Sequence, residues 1–71
     1  MTDTQKLQGK MRGKGFTIKS LAIRIGLSST GLFNKIHNKK EFLASEVQII
    51  SHLLDLDDKE MRNIFFAVDV E

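Results

Sequence analysis

The sequence predicts an all-α fold of about five short helices, in one domain over residues 1–71. The composition favours helix, because the chain lacks proline, tyrosine and tryptophan and is rich in leucine, isoleucine and lysine. Apolar residues recur at helical spacing, and alternation with period two occurs only in the short tail from Ala67 to Glu71. A chain of 71 residues without cysteine has one small core and neither a disulfide nor a thiolate metal site to stabilise it.

The first helix is predicted from about Thr4 to Arg12. Leu7 and Met11 lie about one turn apart along it and would face the core. The sequence GKG follows, and glycine is common where helices end. Gly13 and Gly15 are therefore expected to stop this helix.

The second helix is predicted to begin at Thr17, whose hydroxyl can accept a backbone N–H as the N-cap. Phe16 and Leu21 have the spacing of a hydrophobic staple around this start. Gly26 ends the helix, because glycine adopts the required backbone conformation without strain. The inward stripe of the helix is Ile18, Leu21, Ala22 and Ile25.

The third helix follows after only a tight turn. Ser28 can cap it, and Leu27 with Leu32 form a second staple. Leu32 and Ile36 lie one turn apart and are expected to anchor the helix on the core.

The last two helices lie in the C-terminal half. The fourth is predicted to start between Leu43 and Ser45, with Ser45 and Gln48 at capping-box spacing, and to continue to Leu54. The fifth is predicted to start at Asp57, with Glu60 completing a capping box. The apolar positions of these helices are Val47, Ile50, Leu54, Met61, Ile64, Phe65 and Val68.

Two short helices joined by a glycine turn, over about residues 17–36, are typical of a helix-turn-helix. Ala22 stands four residues before Gly26, where a larger side chain would obstruct the third helix. The helix over residues 28–36 would then enter the major groove of double-stranded DNA as the recognition helix. The residues predicted to contact base edges are Ser29, Thr30, Phe33 and Asn34.

The charges are distributed unevenly along the chain. Residues 1–40 carry nine basic residues and one acidic residue, a net charge of +8, whereas residues 41–71 carry two basic and eight acidic residues, a net charge of −6. A basic half suggests a polyanionic partner, although both halves could equally be solvated surfaces. The residues predicted to contact DNA phosphates are Thr17, Lys19, Ser28, Lys35, His37, Asn38, Lys39 and Lys40.

The spacing of Leu21, Ala22, Gly26, Leu27 and Leu32 resembles the helix-turn-helix of the Cro and C1-repressor family of phage regulators. The segments TGLFNKIHNKKEF, SEVQIISHLLDL and IFF are similar to a small phage-encoded branch of that family. This branch includes Cro-like repressors and the modulator-of-repression proteins of temperate phages of lactic acid bacteria. The resemblance covers nearly the whole chain and implies a lambda-repressor-like domain that regulates transcription in a lysis–lysogeny switch.

The sequence departs from the family pattern at two positions. Ile18 stands where the family often has a glutamine that contacts phosphate, so the family's phosphate contacts do not all transfer. Lys35 stands where many members have an apolar residue. Anchoring through Ile36 instead predicts that the end of the recognition helix is locally rotated or shortened.

Two functional classes follow from this resemblance and from the charge distribution. One is a sequence-specific repressor that acts as a homodimer, because one short recognition helix contacts few base pairs. The other is a modulator or antirepressor that binds a partner phage repressor and alters its operator occupancy. Ile23 and Phe66 lie off the inward stripes of their helices and are candidates for either protein contact.

Other chemistry is not expected. His37 and His52 lack a patterned carboxylate or cysteine beside them, so no metal site is predicted, and the acidic residues from Asp55 to Glu60 suit helix capping better than a calcium loop. No nucleophile and base are paired and no phosphate-binding glycine loop occurs, so neither an enzyme nor a cofactor is predicted. Polar residues follow Met1 and the apolar runs are short, which predicts no membrane segment and a location in the cytoplasm of the bacterial host.

Overall fold

Five helices form the fold in a computed structural model that describes residues 1–67. The prediction of an all-α fold with five short helices is confirmed, and residues 1–67 contain no strand. Val68 and most of the alternating tail lie outside the described residues. Within that range, no helix has the length and apolar character needed to cross a membrane. The helices are α1 (Thr4–Gly13), α2 (Ile18–Ile25), α3 (Ser29–Ile36), α4 (Ala44–Leu53) and α5 (Asp58–Phe65).

Side-chain hydrogen bonds cap the N-termini of most of these helices. The predicted caps are confirmed: Thr17 accepts the N–H of Ser20, and Ser28 accepts the N–H of Gly31, each at 3.0 Å. Asp57 likewise accepts the N–H of Glu60 at 2.7 Å. Asp3, which sequence analysis did not identify, caps α1. Each acceptor satisfies a backbone donor that has no partner within its helix.

The start of α4 lies within the predicted window, but the predicted capping box of Ser45 and Gln48 is wrong. Leu43 occupies the N-cap position, and its N–H donates to Glu46 Oε1 at 2.8 Å. In a capping box the side chain of the third helical residue accepts the backbone N–H of the N-cap residue. With Leu43 as the N-cap, that third residue is Glu46.

Four residues in the left-handed conformation reverse the chain after α1 to α4. The N–H of the next residue then bonds back to a carbonyl of the preceding helix, as Phe16 does to Met11 at 2.8 Å. Gly13 is therefore not a stop, because it is the last residue of α1 and the turn occurs at Gly15. The left-handed residues, with their φ values, are Gly15 (76°), Gly26 (77°), Asn38 (62°) and Asp55 (54°).

All five helices contribute to one apolar core. Every inward position predicted within residues 1–67 is buried or packs against this core. The fully buried large side chains are Leu7, Leu21, Leu32, Ile36, Ile50 and Ile64. Burial of this kind is the main favourable contribution to folding, at about 25 cal/mol per Å² of apolar surface.

The N-terminal segment joins the C-terminal ends of α3 and α5. Thr2 N–H donates to Asn38 Oδ1, and Asn38 Nδ2 donates to the Thr2 carbonyl, both at 2.8 Å. Thr4 Oγ1 donates to the Ile36 carbonyl at 2.7 Å, and Asp3 N–H donates to the Ile64 carbonyl at 2.6 Å. These bonds span long sequence separations, and no local pattern predicted them.

Candidate nucleic-acid interface

The turn between α2 and α3 brings the two helices together. Gly26 adopts a φ of 77°, and the next N–H, from Leu27, donates to the Ala22 carbonyl at 2.9 Å. Ala22 is only 1% exposed, so a larger side chain there would meet the packed core. α2 and α3 are thus two short helices that a glycine turn joins.

One face of α3 is exposed and the opposite face is anchored. Leu32 and Ile36 are completely buried, whereas Ser29, Thr30 and Phe33 are exposed. Thr30 and Phe33 therefore lie on the outward face, as predicted, and Ser29 is exposed as the first residue of the helix. Asn34 is half-buried, and its carbonyl accepts the N–H of Lys39 at 2.8 Å, so it lies at the edge of that face.

Three side chains form a stack at the end of α3. The ring of Phe33 is 40% exposed, and its centroid lies 4.2 Å from that of His37 at a tilt of 38°. The ammonium of Lys39 lies 5.6 Å from the Phe33 ring centroid, within the range of a cation–π contact. His37 is thus held against an aromatic ring rather than projecting alone as a phosphate ligand.

Lys35, which was predicted to contact a DNA phosphate, instead pairs with a carboxylate of the protein. Its Nζ lies 2.6 Å from Glu46 Oε1 and 2.7 Å from Oε2, and its side chain is only 13% exposed. α3 continues to Ile36, and the predicted rotation or shortening of the helix end relative to the family pattern stays a prediction. Glu46 on α4 supplies a charge partner, which allows a lysine at a position that suits an apolar residue.

The Lys35–Glu46 pair sets the pKa of the carboxyl group. Burial acts most strongly and raises the pKa of Glu46, but the hydrogen bond from Lys35, the hydrogen bond from the Leu43 N–H and the Lys35 charge together lower it. The net result is a pKa below the ordinary value of 4.5. Glu46 is therefore charged at neutral pH, although only 7% of the residue is exposed.

Asn38, like His37 and Lys35, is a predicted phosphate ligand whose side chain contacts other residues of the protein. Its side-chain amide is bonded to the backbone of Thr2, and its left-handed backbone ends α3. Asparagine tolerates this conformation better than most residues, which explains its presence at the turn.

Thr17 and Ser28 are largely committed to capping. The Thr17 hydroxyl accepts the Ser20 N–H and donates to Ser20 Oγ at 3.2 Å. The Ser28 hydroxyl accepts the Gly31 N–H and retains its own hydrogen as a donor on an exposed residue. Of the two, Ser28 is the better placed for a further contact.

Cations of the N-terminal half divide into two groups. Lys10 pairs with Glu60, and Lys14 lies 3.1 Å from Asp55, so both are directed towards the acidic half. Within residues 1–67, three exposed lysines of the predicted phosphate contacts make no ion pair. They are Lys19, Lys39 and Lys40; Lys39 belongs to the stack at the end of α3, and Lys40 is the next residue.

Two of the four acidic residues from Asp55 to Glu60 make the predicted capping bonds at the start of α5, whereas Asp55 pairs with Lys14. Asp57 caps α5, and Glu60 accepts the Asp57 N–H and pairs with Lys10. The hydrogen bond from Lys10, followed by that from Asp57, lowers the pKa of Glu60. Among the described residues, no three histidine or acidic side chains lie close enough together to hold a metal ion, and His52 is exposed.

The two candidate protein contacts lie on different surfaces. Ile23 is 71% exposed and Phe66 is 60% exposed, as expected for residues off the inward stripes. Phe66 lines a groove of about 530 Å³ together with Met1, Phe42 and Phe65, whereas Ile23 does not. Met1 was not identified from the sequence because its position depends on a bond to Ala67, at the other end of the described chain.

Comparison with known proteins identifies a family without a known activity. The model of a family described as a protein of unknown function, DUF739, matches residues 1–68. No curated protein matches the chain.

Proposed function

The chain belongs to the DUF739 family, and we propose that it is a sequence-specific DNA-binding transcription regulator, a repressor of the Cro type. In this proposal α3 lies in the major groove and contacts base edges, and neighbouring lysines contact the phosphate backbone. The proposed partner is therefore double-stranded DNA, and the outward face of α3 is the surface that would bind it.

The main support is the two-sided construction of α3. Leu32 and Ile36 are fully buried and hold the helix in one orientation, while Thr30 and Phe33 project away from them and Ser29 is exposed at the start of the helix. Short hydroxyl side chains suit the major groove, because they hydrogen-bond base edges without preventing close approach of the helix.

The electrostatic support comes from the lysines without an acidic partner in the described chain. Lys39 and Lys40 directly follow α3, and Lys19 lies in the first turn of α2. Lys35 and Asn38 are not proposed as phosphate ligands, because Glu46 and Thr2 already bind their side chains. Phosphate neutralisation by the three lysines would supply affinity that does not depend on sequence.

The proposal is tested by selecting binding sites from a random pool of duplexes and measuring affinity by fluorescence anisotropy. One consensus should emerge, and scrambling it should weaken binding at least about a thousandfold, the lower end of the usual specificity range. Lys40→Ala should weaken binding, whereas Lys59→Ala, at an exposed position of α5, provides the matched control. Equal affinity for all duplexes would refute sequence-specific binding.

A second candidate function is favoured by the groove beside Phe66. Its lining residues Met1, Phe42 and Phe66 offer apolar surface, and two of these are at least 60% exposed. Such surface suits a protein partner, either a second copy of the chain or a phage repressor that the chain modulates. In the modulator case the protein would bind DNA weakly alone and change the DNA affinity of its partner.

Analytical ultracentrifugation separates the two candidates. A self-sufficient repressor should sediment as a homodimer and should not change when the repressor encoded beside it is added. A modulator should sediment as a monomer and form a larger species only in the mixture. The second result would exclude a self-sufficient repressor.

A further inference from the structure

We propose that Phe33 recognises the 5-methyl group of a thymine in the major groove, so that one position of the DNA site is specified by an apolar contact. The inference rests on the proposed DNA-binding function and defines a chemical group that the recognition helix would select. It concerns the one exposed aromatic side chain on the outward face of α3.

The Phe33 ring is held in position before any partner binds. The His37 ring contacts one part of it, with centroids 4.2 Å apart, and the Lys39 ammonium lies 5.6 Å from its centroid. Both neighbours belong to the end of α3 or the turn after it. A ring supported in this way loses little conformational freedom when it enters a groove, so binding costs less entropy.

The chemistry of the major groove restricts what such a ring can select. Phenylalanine has no hydrogen-bond donor or acceptor, whereas most groups on the base edges of the groove are donors or acceptors. The thymine 5-methyl is the apolar group there, and apolar side chains are known to select it. Placing Phe33 against any other base edge would desolvate a polar group without compensation.

The surroundings of Phe33 are consistent with this contact. Thr30 lies three residues earlier on the same exposed face, so the two side chains are neighbours on the helix surface. Thr30 can hydrogen-bond a base edge while Phe33 contacts a methyl on an adjacent base pair. Lys39 beside the ring carries a positive charge suited to the phosphate backbone at the edge of the groove.

The test uses the consensus duplex from the selection experiment, with each thymine replaced in turn by deoxyuridine. This change removes only the methyl group and keeps all hydrogen bonds of the base. For the unmodified protein, uracil at one position of a half-site should weaken binding roughly fourfold, which corresponds to about 0.8 kcal/mol for one buried methyl. Phe33→Ala should bind the thymine and uracil duplexes equally at that position.

Ile49→Ala is the matched control, because Ile49 is apolar and 42% exposed, close to the 40% of Phe33, but lies on α4. It should keep the fourfold preference for thymine. Thermal unfolding of both variants checks that the fold is intact.

The possible outcomes separate the inference from the function on which it rests. A consensus site without any uracil-sensitive position, or a Phe33→Ala variant with the same sensitivity as the unmodified protein, would overturn the methyl contact alone. Failure to select any consensus would overturn both the contact and sequence-specific DNA binding. If Phe33→Ala left DNA binding unchanged and abolished binding to a partner repressor, the face would instead be a protein contact.

Discussion

Lys35 of α3 and Glu46 of α4 form a largely buried ion pair, with the lysine Nζ 2.6 and 2.7 Å from the two carboxylate oxygens. Glu46 also accepts the N–H of Leu43, so one carboxylate joins the end of α3 to the start of α4. The pair holds α3 from the side opposite to its exposed face. It also removes Lys35 from the cations available to a phosphate.

Breaking this pair should be costly. Glu46→Ala leaves the Lys35 ammonium in a site that is only 13% exposed, and we expect a loss of about 3 kcal/mol in the free energy of unfolding. The double variant Lys35→Met with Glu46→Leu should recover most of that loss, because no uncompensated charge remains. Urea denaturation measures both. A double variant no more stable than Glu46→Ala would show that the ionic contact itself is required.

The lowered pKa of Glu46 predicts how stability depends on pH. A carboxyl whose pKa is lower in the folded state stabilises the fold above its unfolded pKa, near 4.5, and loses that contribution as the pH falls through the folded value. The difference in unfolding free energy between the unmodified protein and Glu46→Gln should therefore shrink from about pH 6 to about pH 3. A difference that stayed constant with pH would show that Glu46 does not titrate in this way.

Among residues 1–67, Asn38 and Asp55 are the non-glycine residues in the left-handed conformation, and their replacement by glycine should change stability in opposite directions. Asp55→Gly removes backbone strain and loses only an exposed ion pair with Lys14, so stability should rise by roughly 0.5 kcal/mol. Asn38→Gly also relieves strain but loses two hydrogen bonds to Thr2, each worth about 1 kcal/mol, so stability should fall. Thermal unfolding of both variants tests the signs, and a gain at Asn38 would mean that the link to Thr2 contributes little.

Base contacts and phosphate contacts should differ in their effects on DNA binding. Thr30→Ala should cost roughly 1–3 kcal/mol at one base pair and relax the preference there. Asn34→Ala should have a smaller effect than Thr30→Ala, because Asn34 is half-buried. Binding measured against every single-base variant of the consensus tests both. Retained preference in Thr30→Ala would contradict the assigned orientation of α3.

Lys39→Ala should weaken all sequences alike, except at the thymine that Phe33 would contact, because Lys39 also supports the Phe33 ring. It should also reduce the slope of log affinity against log salt by about 0.9, the value for one phosphate neutralised. Titrations at several salt concentrations measure this slope. A changed preference at other positions, or an unchanged slope, would remove Lys39 from the phosphate contacts.

The groove beside Phe66 should determine self-association if the protein acts as a homodimer. Phe66→Ser should leave the fold intact, because the side chain is 60% exposed, and should shift the protein towards monomer. Operator binding should then weaken, since the linked second half-site is lost. Ile23→Ser, outside the groove, is the control and should leave association unchanged in ultracentrifugation. The opposite pattern would place the dimer contact on α2.

Much of the fold could be predicted because helix signals are local. The caps at Thr17, Ser28 and Asp57 bond to residues three positions along the chain, within the reach of a sequence pattern. The apolar spacing likewise identified which face of each helix is buried, because the helical period relates sequence position directly to direction. The outward orientation of Thr30 followed from the same period, whereas Ser29 shares the helical face of Leu32 and is exposed because it begins the helix.

The tertiary structure alone decided which polar side chains remain available for a ligand. Lys35 is followed eleven positions later by its partner Glu46, and Asn38 bonds Thr2 from thirty-six positions away. Lys39, four positions after Lys35, makes no ion pair within residues 1–67. The local sequence does not distinguish these three residues, because the partner of a charged or amide side chain depends on which helix ends come together when the core forms.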